Sequence, residues 1–170
     1  MTVYIRPVEP DEIPLLGPIE KSAGELFRDQ GMDDVADGGQ MPATFILSFT
    51  RFGGALVADV DGAVAGFALV AAYDKHAHLY EVSVGREFQG QGIGRKLVLS
   101  ACDWAVSHEY AALTLSTFSD VPWNAPFYAT LGFGVLPESE WSPAFHVLRG
   151  REEDAGLDIS RRVFMRKELA

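Results

Sequence analysis

The residues best suited to chemistry lie in a glycine-rich segment near the middle of the chain. Glycines alternate with other residues in QGQGIG, residues 89–94, between an apolar strand-like segment and the strongest helical pattern in the sequence. Glycine permits positive φ angles and lets a ligand approach the main chain closely. The first amides of a helix lack intrahelical partners and lie at the positive end of its dipole. The segment therefore predicts a backbone site for an anion such as a pyrophosphate.

The spacing of these glycines separates the segment from two common nucleotide-binding loops. A dinucleotide-binding GxGxxG loop would need glycine where Arg95 stands. A Walker loop, GxxxxGK[ST], fails because position 89 is glutamine and because Leu97 follows Lys96. The remaining pattern, [Q/R]xxGx[G/A], is met by residues 89, 92 and 94.

A second motif begins about 35 residues further along the chain. Tyr128 follows Asn124 by four residues, and the segment closes as Leu131-Gly132-Phe133. Together the two motifs resemble those of the GNAT superfamily of N-acetyltransferases, which pairs such a glycine loop with a later Y-x-x-L/I-G-F segment. The resemblance covers roughly residues 1–137 and the last strand. It departs from the family at the asparagine, which in many members precedes the tyrosine by about seven residues.

The resemblance implies an α/β (α+β) fold in one domain spanning residues 1–170. The expected sheet is mixed, mostly antiparallel and of about seven strands, with a splay between strands 4 and 5 and helices on both faces. Acetyl-CoA is the implied co-substrate, with its pyrophosphate on residues 89–94 and its pantetheine arm beside the fourth strand. The implied cofactor-binding residues are Val82, Ser83, Val84, Gln89, Gly90, Gln91, Gly92, Ile93, Gly94, Arg95, Asn124, Phe127 and Tyr128.

The implied reaction is direct attack of a primary amine on the thioester. The departing thiolate needs a proton, and Tyr128 is the expected general acid, since a phenol with an ordinary pKa of about 10 can donate to a thiolate. Glu81 is the first candidate for the general base and His78 the second, with a relayed water as a further possibility. Strict alternation along the strand would turn Glu81 away from Val82 and Val84, unless a bulge intervenes.

Hydrophobic periodicity predicts the element order β-α-α-β-β-β-α-β-α-β-α-β. The Asp61-Gly62 pair predicts a tight hairpin between strands 55–60 and 63–71. A strand at 77–84 then leads to the helix at 92–109. Residues 29–42 are rich in glycine, proline and aspartate, which indicates a loop or a broken helix. The other predicted elements are strands 3–6, 112–118, 133–136 and 162–167, and helices 11–28, 43–51, 124–131 and 143–156.

Composition and charge limit the classes of partner. The net charge of −10 argues against nucleic acid as the main partner, because phosphate contacts need clustered basic residues. The apolar runs are too short to span a membrane, and the N-terminus does not resemble a signal peptide. The single Cys102 fits a reducing, cytoplasmic compartment. We predict no metal site, and by resemblance a homodimer is plausible.

The resemblance suggests where the acceptor binds but does not identify it. The corresponding regions are residues 25–45 and 138–145, and a small-molecule amine is the expected acceptor. Polyamines, amino acid derivatives, arylalkylamines, aminoglycosides and protein N-termini all stay open. A different class of function, a non-catalytic acyl-CoA sensor or regulatory module, is the alternative. The presence of Tyr128 favours catalysis, since a pure binder needs no phenol at the sulfur.

Overall fold

The computed structural model describes residues 1–169, which form seven strands and six α-helices joined by short 3-10 turns. Most elements lie within two residues of their predicted positions. The segment at 29–42 contains a single short helix, as expected of a broken one. The strands are β1 Val3–Pro7, β2 Gly54–Val60, β3 Ala63–Tyr73, β4 His76–Val84, β5 Ala112–Phe118, β6 Gly134–Val135 and β7 Arg162–Glu168. The helices are α1 Ile13–Gly24, α2 Asp33–Ala36, α3 Ala43–Phe52, α4 Ile93–Ser107, α5 Ala125–Thr130 and α6 Pro143–Asp154.

The strands follow the order β1-β2-β3-β4-β5-β7-β6. Neighbours β4 and β5 are parallel, as expected when a helix connects two strands, whereas β1–β2, β2–β3, β5–β7 and β6–β7 are antiparallel. The predicted mixed sheet of seven strands is therefore confirmed. The described residues divide into two compact units, residues 1–71 with 79–104 and residues 72–78 with 105–169. A single domain stays a prediction.

In the first unit, helices pack on both faces of the strands. Side chains of α1 and α3 share one core with alternate residues of β2 and β3. Gly54, directly before the first such position on β2, faces the other way, and a Cβ there would lie 2.8 Å from the indole of Trp104 on α4. The glycine thus lets α4 approach the strand closely. The shared core on the first face consists of Ile13, Leu16, Ile46, Phe49, Ala55, Val57, Phe67 and Leu69.

The predicted hairpin between β2 and β3 is confirmed. Asp61 and Gly62 have φ angles of 50° and 92°, as a turn with two left-handed residues requires. The amide of Gly62 donates to Asp59 Oδ1 at 2.8 Å, and the amide of Thr2 donates to Asp61 Oδ1 at 3.0 Å. The side chains of Asp59 and Asp61 therefore stabilise the turn, and Asp61 is also one of its two central residues.

In the second unit, β7 lies between β5 and the two-residue strand β6. It pairs with β5 in antiparallel register from Arg162 opposite Phe118 to Glu168 opposite Ala112. Helix α6, in the connection between β6 and β7, packs Phe145 and Leu148 against Phe164, which is fully buried. None of the helices found within residues 1–169 is both long and apolar enough to cross a membrane.

Candidate functional site

The glycine segment forms the turn that carries the chain from β4 into α4. The Gly85 amide donates to Ala65 O at 2.8 Å, and Gln89 Nε2 donates to Val84 O at 3.1 Å, so both ends of the turn are tied to the strands. Gly90 and Gly92 have φ angles of 76° and 77°. A Cβ at either glycine would meet nothing within 4 Å. Backbone conformation, rather than crowding, therefore requires these two glycines.

Helix α4 begins at Ile93, directly after the turn. The first amide at the turn with an intrahelical partner is that of Lys96, which donates to Gly92 O at 3.2 Å. The amides of Ile93, Gly94 and Arg95 precede it and belong to the set that a helix leaves unpaired. No acidic residue occupies this first turn, which carries the exposed Arg95 and Lys96. The helix dipole and the two basic side chains both favour an anion at this turn, and the anion site stays a prediction.

The alternation of side chains along β4 is interrupted beside this turn. Tyr80 packs its ring 5.4 Å from that of Phe49 on α3. Val84 Cγ2 instead lies 3.8 Å from the Cβ position of Gly94 on α4. Since α3 and α4 pack on opposite faces of the first unit, two residues four apart could not reach both in a regular strand. The two contacts therefore indicate that the regular alternation of side chains changes between residues 80 and 84.

The candidate base Glu81 lies within this irregular stretch. Ser83, which is buried, donates its hydroxyl hydrogen bond to Glu81 Oε1 at 2.9 Å. The carboxylate is half-buried and so is oriented by at least one neighbouring donor.

The second candidate base, His78, is enclosed in the second unit. Its side chain is only 3% exposed, and its Nδ1 lies 2.8 Å from Thr114 Oγ1. The rings of Tyr73 and Phe164 pack around it. Burial, with a smaller contribution from His76, lowers the pKa of His78 from 6.5 to about 3. The imidazole is therefore neutral near pH 7 and has little tendency to take a proton.

The tyrosine motif forms α5 and the turn that ends it. The Tyr128 amide donates to Asn124 O at 3.0 Å. The centroid of the Tyr128 ring lies 5.2 Å from that of Phe127 and 5.8 Å from that of Phe133. Leu131 and Phe133 are buried, and Gly132 between them has a φ of 94°. The L-G-F sequence thus ends the helix and turns two apolar side chains into the core.

Two features of the described chain have no counterpart in the sequence predictions. Ser22 Oγ near the end of α1 accepts a hydrogen bond from the Arg86 amide at 3.0 Å and so supports the glycine turn. Arg149 and Glu152 on α6 form an ion-paired cluster with Arg162. The i,i+3 spacing of the first pair is a visible signal, but nothing in the sequence indicates that Arg162 joins it.

The chain thus combines an exposed glycine turn between a strand and a helix with a later, buried L-G-F turn. The chain matches the model of the Acetyltransferase (GNAT) family over residues 23–133. It belongs to that family, and the resemblance carried by the two motifs is confirmed.

Individual relatives cover different shares of the chain. A human N-acetylaspartate synthetase is 31% identical over 110 residues, which is 64% of this chain and 34% of that protein, so the chain spans about a third of its length. The structure of Ard1 from Thermoplasma volcanium aligns with a TM-score of 0.71 and 18% sequence identity, and the alignment covers 100% of this chain and 99% of the Ard1 chain. N-acetylglutamate synthase from Neisseria gonorrhoeae, complexed with coenzyme A and N-acetyl-glutamate, aligns with a TM-score of 0.71 and 16% sequence identity. That alignment covers 100% of this chain and 36% of the synthase chain. Both structures share the fold.

The buried His78 predicts a loss of stability in acid. The unfolded chain protonates this residue below its ordinary pKa of 6.5, whereas the folded chain resists protonation down to about 3. The stability that the neutral His78 contributes is complete above pH 6.5. It is lost as the pH falls from 6.5 towards about 3, at up to about 1.4 kcal/mol of unfolding free energy per pH unit. We expect the free energy of unfolding, measured in urea between pH 7 and pH 4, to fall more steeply for the native chain than for His78→Gln.

The matched control is His108→Gln, since His108 is exposed. This variant is expected to keep the native pH dependence. Equal slopes for the native chain and His78→Gln would contradict the assignment of a neutral, buried imidazole.

Proposed function

We propose that this protein is an acyl-CoA-dependent N-acetyltransferase that moves an acetyl group from acetyl-CoA to a primary amine. The observation that carries the proposal is the turn at residues 89–94, with its two positive-φ glycines and its exposed helix start. Membership of the GNAT family and a structural relative complexed with coenzyme A support the same ligand. No metal takes part in the proposed reaction.

The turn is proposed to bind the pyrophosphate through main-chain amides. Gln89 holds the start of the turn by its bond to Val84 O, and the amides from Gly90 to Gly94 donate to phosphate oxygens. Arg95 adds a positive charge in the first turn of α4. Main-chain groups of residues 82–84 pair with the pantetheine arm in the manner of an added strand. Asn124, Phe127 and Tyr128 of the second motif are proposed to contact the cofactor.

The proposed chemistry is a single transfer. The neutral amine attacks the thioester carbonyl, a C–N bond forms, the C–S bond breaks, and the thiolate leaves with a proton. Tyr128 is assigned as the donor of that proton because it occupies the tyrosine position of the family motif. Glu81 is preferred to His78 as the base, directly or through water, because Glu81 is half-buried beside Ser83 whereas His78 is enclosed and neutral.

The proposed acceptor is a small molecule with a primary amine. The human relative and the Neisseria relative are both named for N-acetylated amino acids, which supports a small acceptor. The net charge of −10 favours the approach of a cationic amine by long-range attraction. A cytoplasmic location, proposed from the single cysteine, and a homodimer complete the proposal.

Acetyl-CoA binding is expected to depend on Gly92. In Gly92→Ala the added Cβ strains a backbone with φ of 77° and projects over the turn, so the Kd for acetyl-CoA, measured by calorimetry, should rise by about tenfold, or roughly 1.4 kcal/mol. S-acetylpantetheine lacks the pyrophosphate, and its use as a donor should change little.

Gly62→Ala is the matched control, because Gly62 also has a positive φ and open space at its Cβ, but lies in the β2–β3 turn. A free-thiol assay with an amine panel measures turnover in all three proteins. Absence of acetyl-CoA binding to the native chain would overturn the assignment of residues 89–94. Binding without thiol release for any amine would favour a non-catalytic sensor.

Loss of the Tyr128 hydroxyl is expected to slow the chemical step. Tyr128→Phe should lower kcat by at least about tenfold with little change in the Kd for acetyl-CoA, because a general acid contributes in the transition state and not to cofactor affinity. Tyr4→Phe, an exposed tyrosine on β1, serves as the control. An unchanged kcat in Tyr128→Phe would remove this residue from the mechanism.

The identity of the base can be read from the pH dependence of kcat/KM. Glu81→Gln is expected to lower kcat/KM by at least about tenfold and to flatten the rise on the acidic side, since it removes the group that accepts the proton. His78→Gln should preserve the shape of the profile. A native profile in Glu81→Gln would assign the proton transfer to a water relayed from another residue.

A further inference from the structure

A pocket in the second unit includes Glu138 and Trp141, which lie in a region that the resemblance suggests for the acceptor, but it has a chemical character of its own. Its volume is about 430 Å³, and it is bounded by β6, the segment that follows β6, α6 and the start of β7. This volume falls within the usual range for small-molecule sites. None of the residues assigned above to the cofactor or to catalysis lines it.

The walls of the pocket are largely apolar and held in place by neighbouring contacts. Trp141 Nε1 donates to Leu136 O at 3.2 Å, which satisfies the indole N–H and fixes the ring. The rings of Trp141 and Phe164 pack edge to face with their centroids 4.9 Å apart. Phe164 is fully buried and supports the Trp141 ring from the core side, so Trp141 presents a fixed apolar surface to the body of a ligand.

Two arginines bring positive charge into this apolar surrounding. Arg149 Nη1 lies 2.8 Å from Glu152 Oε1, and Arg162 Nη2 lies 2.9 Å from Glu152 Oε2. The side chains of all three are only 12–13% exposed. One carboxylate therefore serves two guanidinium groups, and the enclosed cluster has a net charge of +1. An uncompensated charge at such depth is costly unless another anion pairs with it.

The donors of this cluster are also incompletely used. Arg162 Nε is buried and has no hydrogen-bond partner within residues 1–169. Arg149 lies with Cζ 4.5 Å from the Phe164 ring, so the aromatic wall covers part of its guanidinium. Burial, aided by the charge of Arg162, lowers the pKa of Arg149. Glu138 also lines the pocket, but it is exposed and its charge is screened by solvent.

We propose that this pocket binds a small organic carboxylate, with the carboxylate beside Arg149 and Arg162 and the apolar body against the side chains of Trp141, Val135 and Ile159. A carboxylate matches the fork of a guanidinium and accepts charge-assisted hydrogen bonds from it. It also brings the net charge of the enclosed cluster from +1 to zero. A neutral ligand of the same shape offers neither contribution. The proposal does not depend on the acyl-transfer reaction.

Phenylacetate is a suitable probe, because it joins an aromatic ring to a carboxylate, and phenylacetamide is its uncharged analogue. Arginine Nε–H signals in nitrogen-15 correlation spectra of the full chain report directly on the two guanidinium groups. We expect phenylacetate to shift the signals of Arg149 and Arg162 in a saturable manner. We expect phenylacetamide to bind at least about tenfold more weakly, since it lacks the charge that the pair requires.

Two variants test the site from different sides. Arg162→Lys keeps the charge but removes the planar fork, and Val135→Trp fills the pocket from its exposed β6 wall while leaving both arginines in place. Both should abolish the saturable shift. Arg161→Lys is the matched control, since Arg161 pairs with the exposed Asp120 and does not line the pocket. The proposal is overturned by equal binding of the two probes, by a shift that does not saturate by about 10 mM, or by native binding in Val135→Trp.

Discussion

The candidate cofactor site depends on one backbone constraint, the left-handed conformation of two alternate glycines between β4 and α4. With φ of 76° at Gly90 and 77° at Gly92, the chain passes from the 3-10 turn Arg86–Phe88 directly into the helix at Ile93. Neither glycine has a side chain that could cover the first helical amides. Burial of Ile93, Leu97 and Ala101 fixes the helix itself. The position of the donors is therefore set by apolar packing, while their direction is set by the glycines.

The second unit is organised by polar groups that are enclosed with their partners. His78 is paired with Thr114 from β5, and Arg162 of β7 is paired with Glu152 of α6. The first pair joins strands 36 residues apart in sequence, and the second joins α6 to the strand that follows it, ten residues further on. The two differ in charge, because the histidine is held neutral whereas the arginine cluster retains an excess positive charge. Only the arginine cluster would be stabilised by binding an anion.

Local signals predicted most of the fold and the main features of the glycine turn. Asp61-Gly62 predicts the hairpin, and the alternate glycines at 90 and 92 predict the turn, because both depend on backbone angles that few residues adopt. The burial of His78 was not predictable, since it results from rings that approach from Tyr73 and Phe164. The break in alternation between Tyr80 and Val84 is equally a tertiary effect, as it follows from contacts with two different helices. Roles for Glu81 and Tyr128 rest on chemistry and resemblance and stay predictions.

The place of β7 between β5 and β6 has a consequence for synthesis of the chain. β5 leaves the ribosome roughly fifty residues before its partner, and Phe164, which completes the core under α6, arrives with that partner. At ordinary translation rates this interval lasts several seconds. One edge of β5, with its apolar and threonine side chains, is unpaired during that time and can join other nascent chains. The sequence order of the strands thus makes the second unit the more vulnerable to aggregation while the protein is being made.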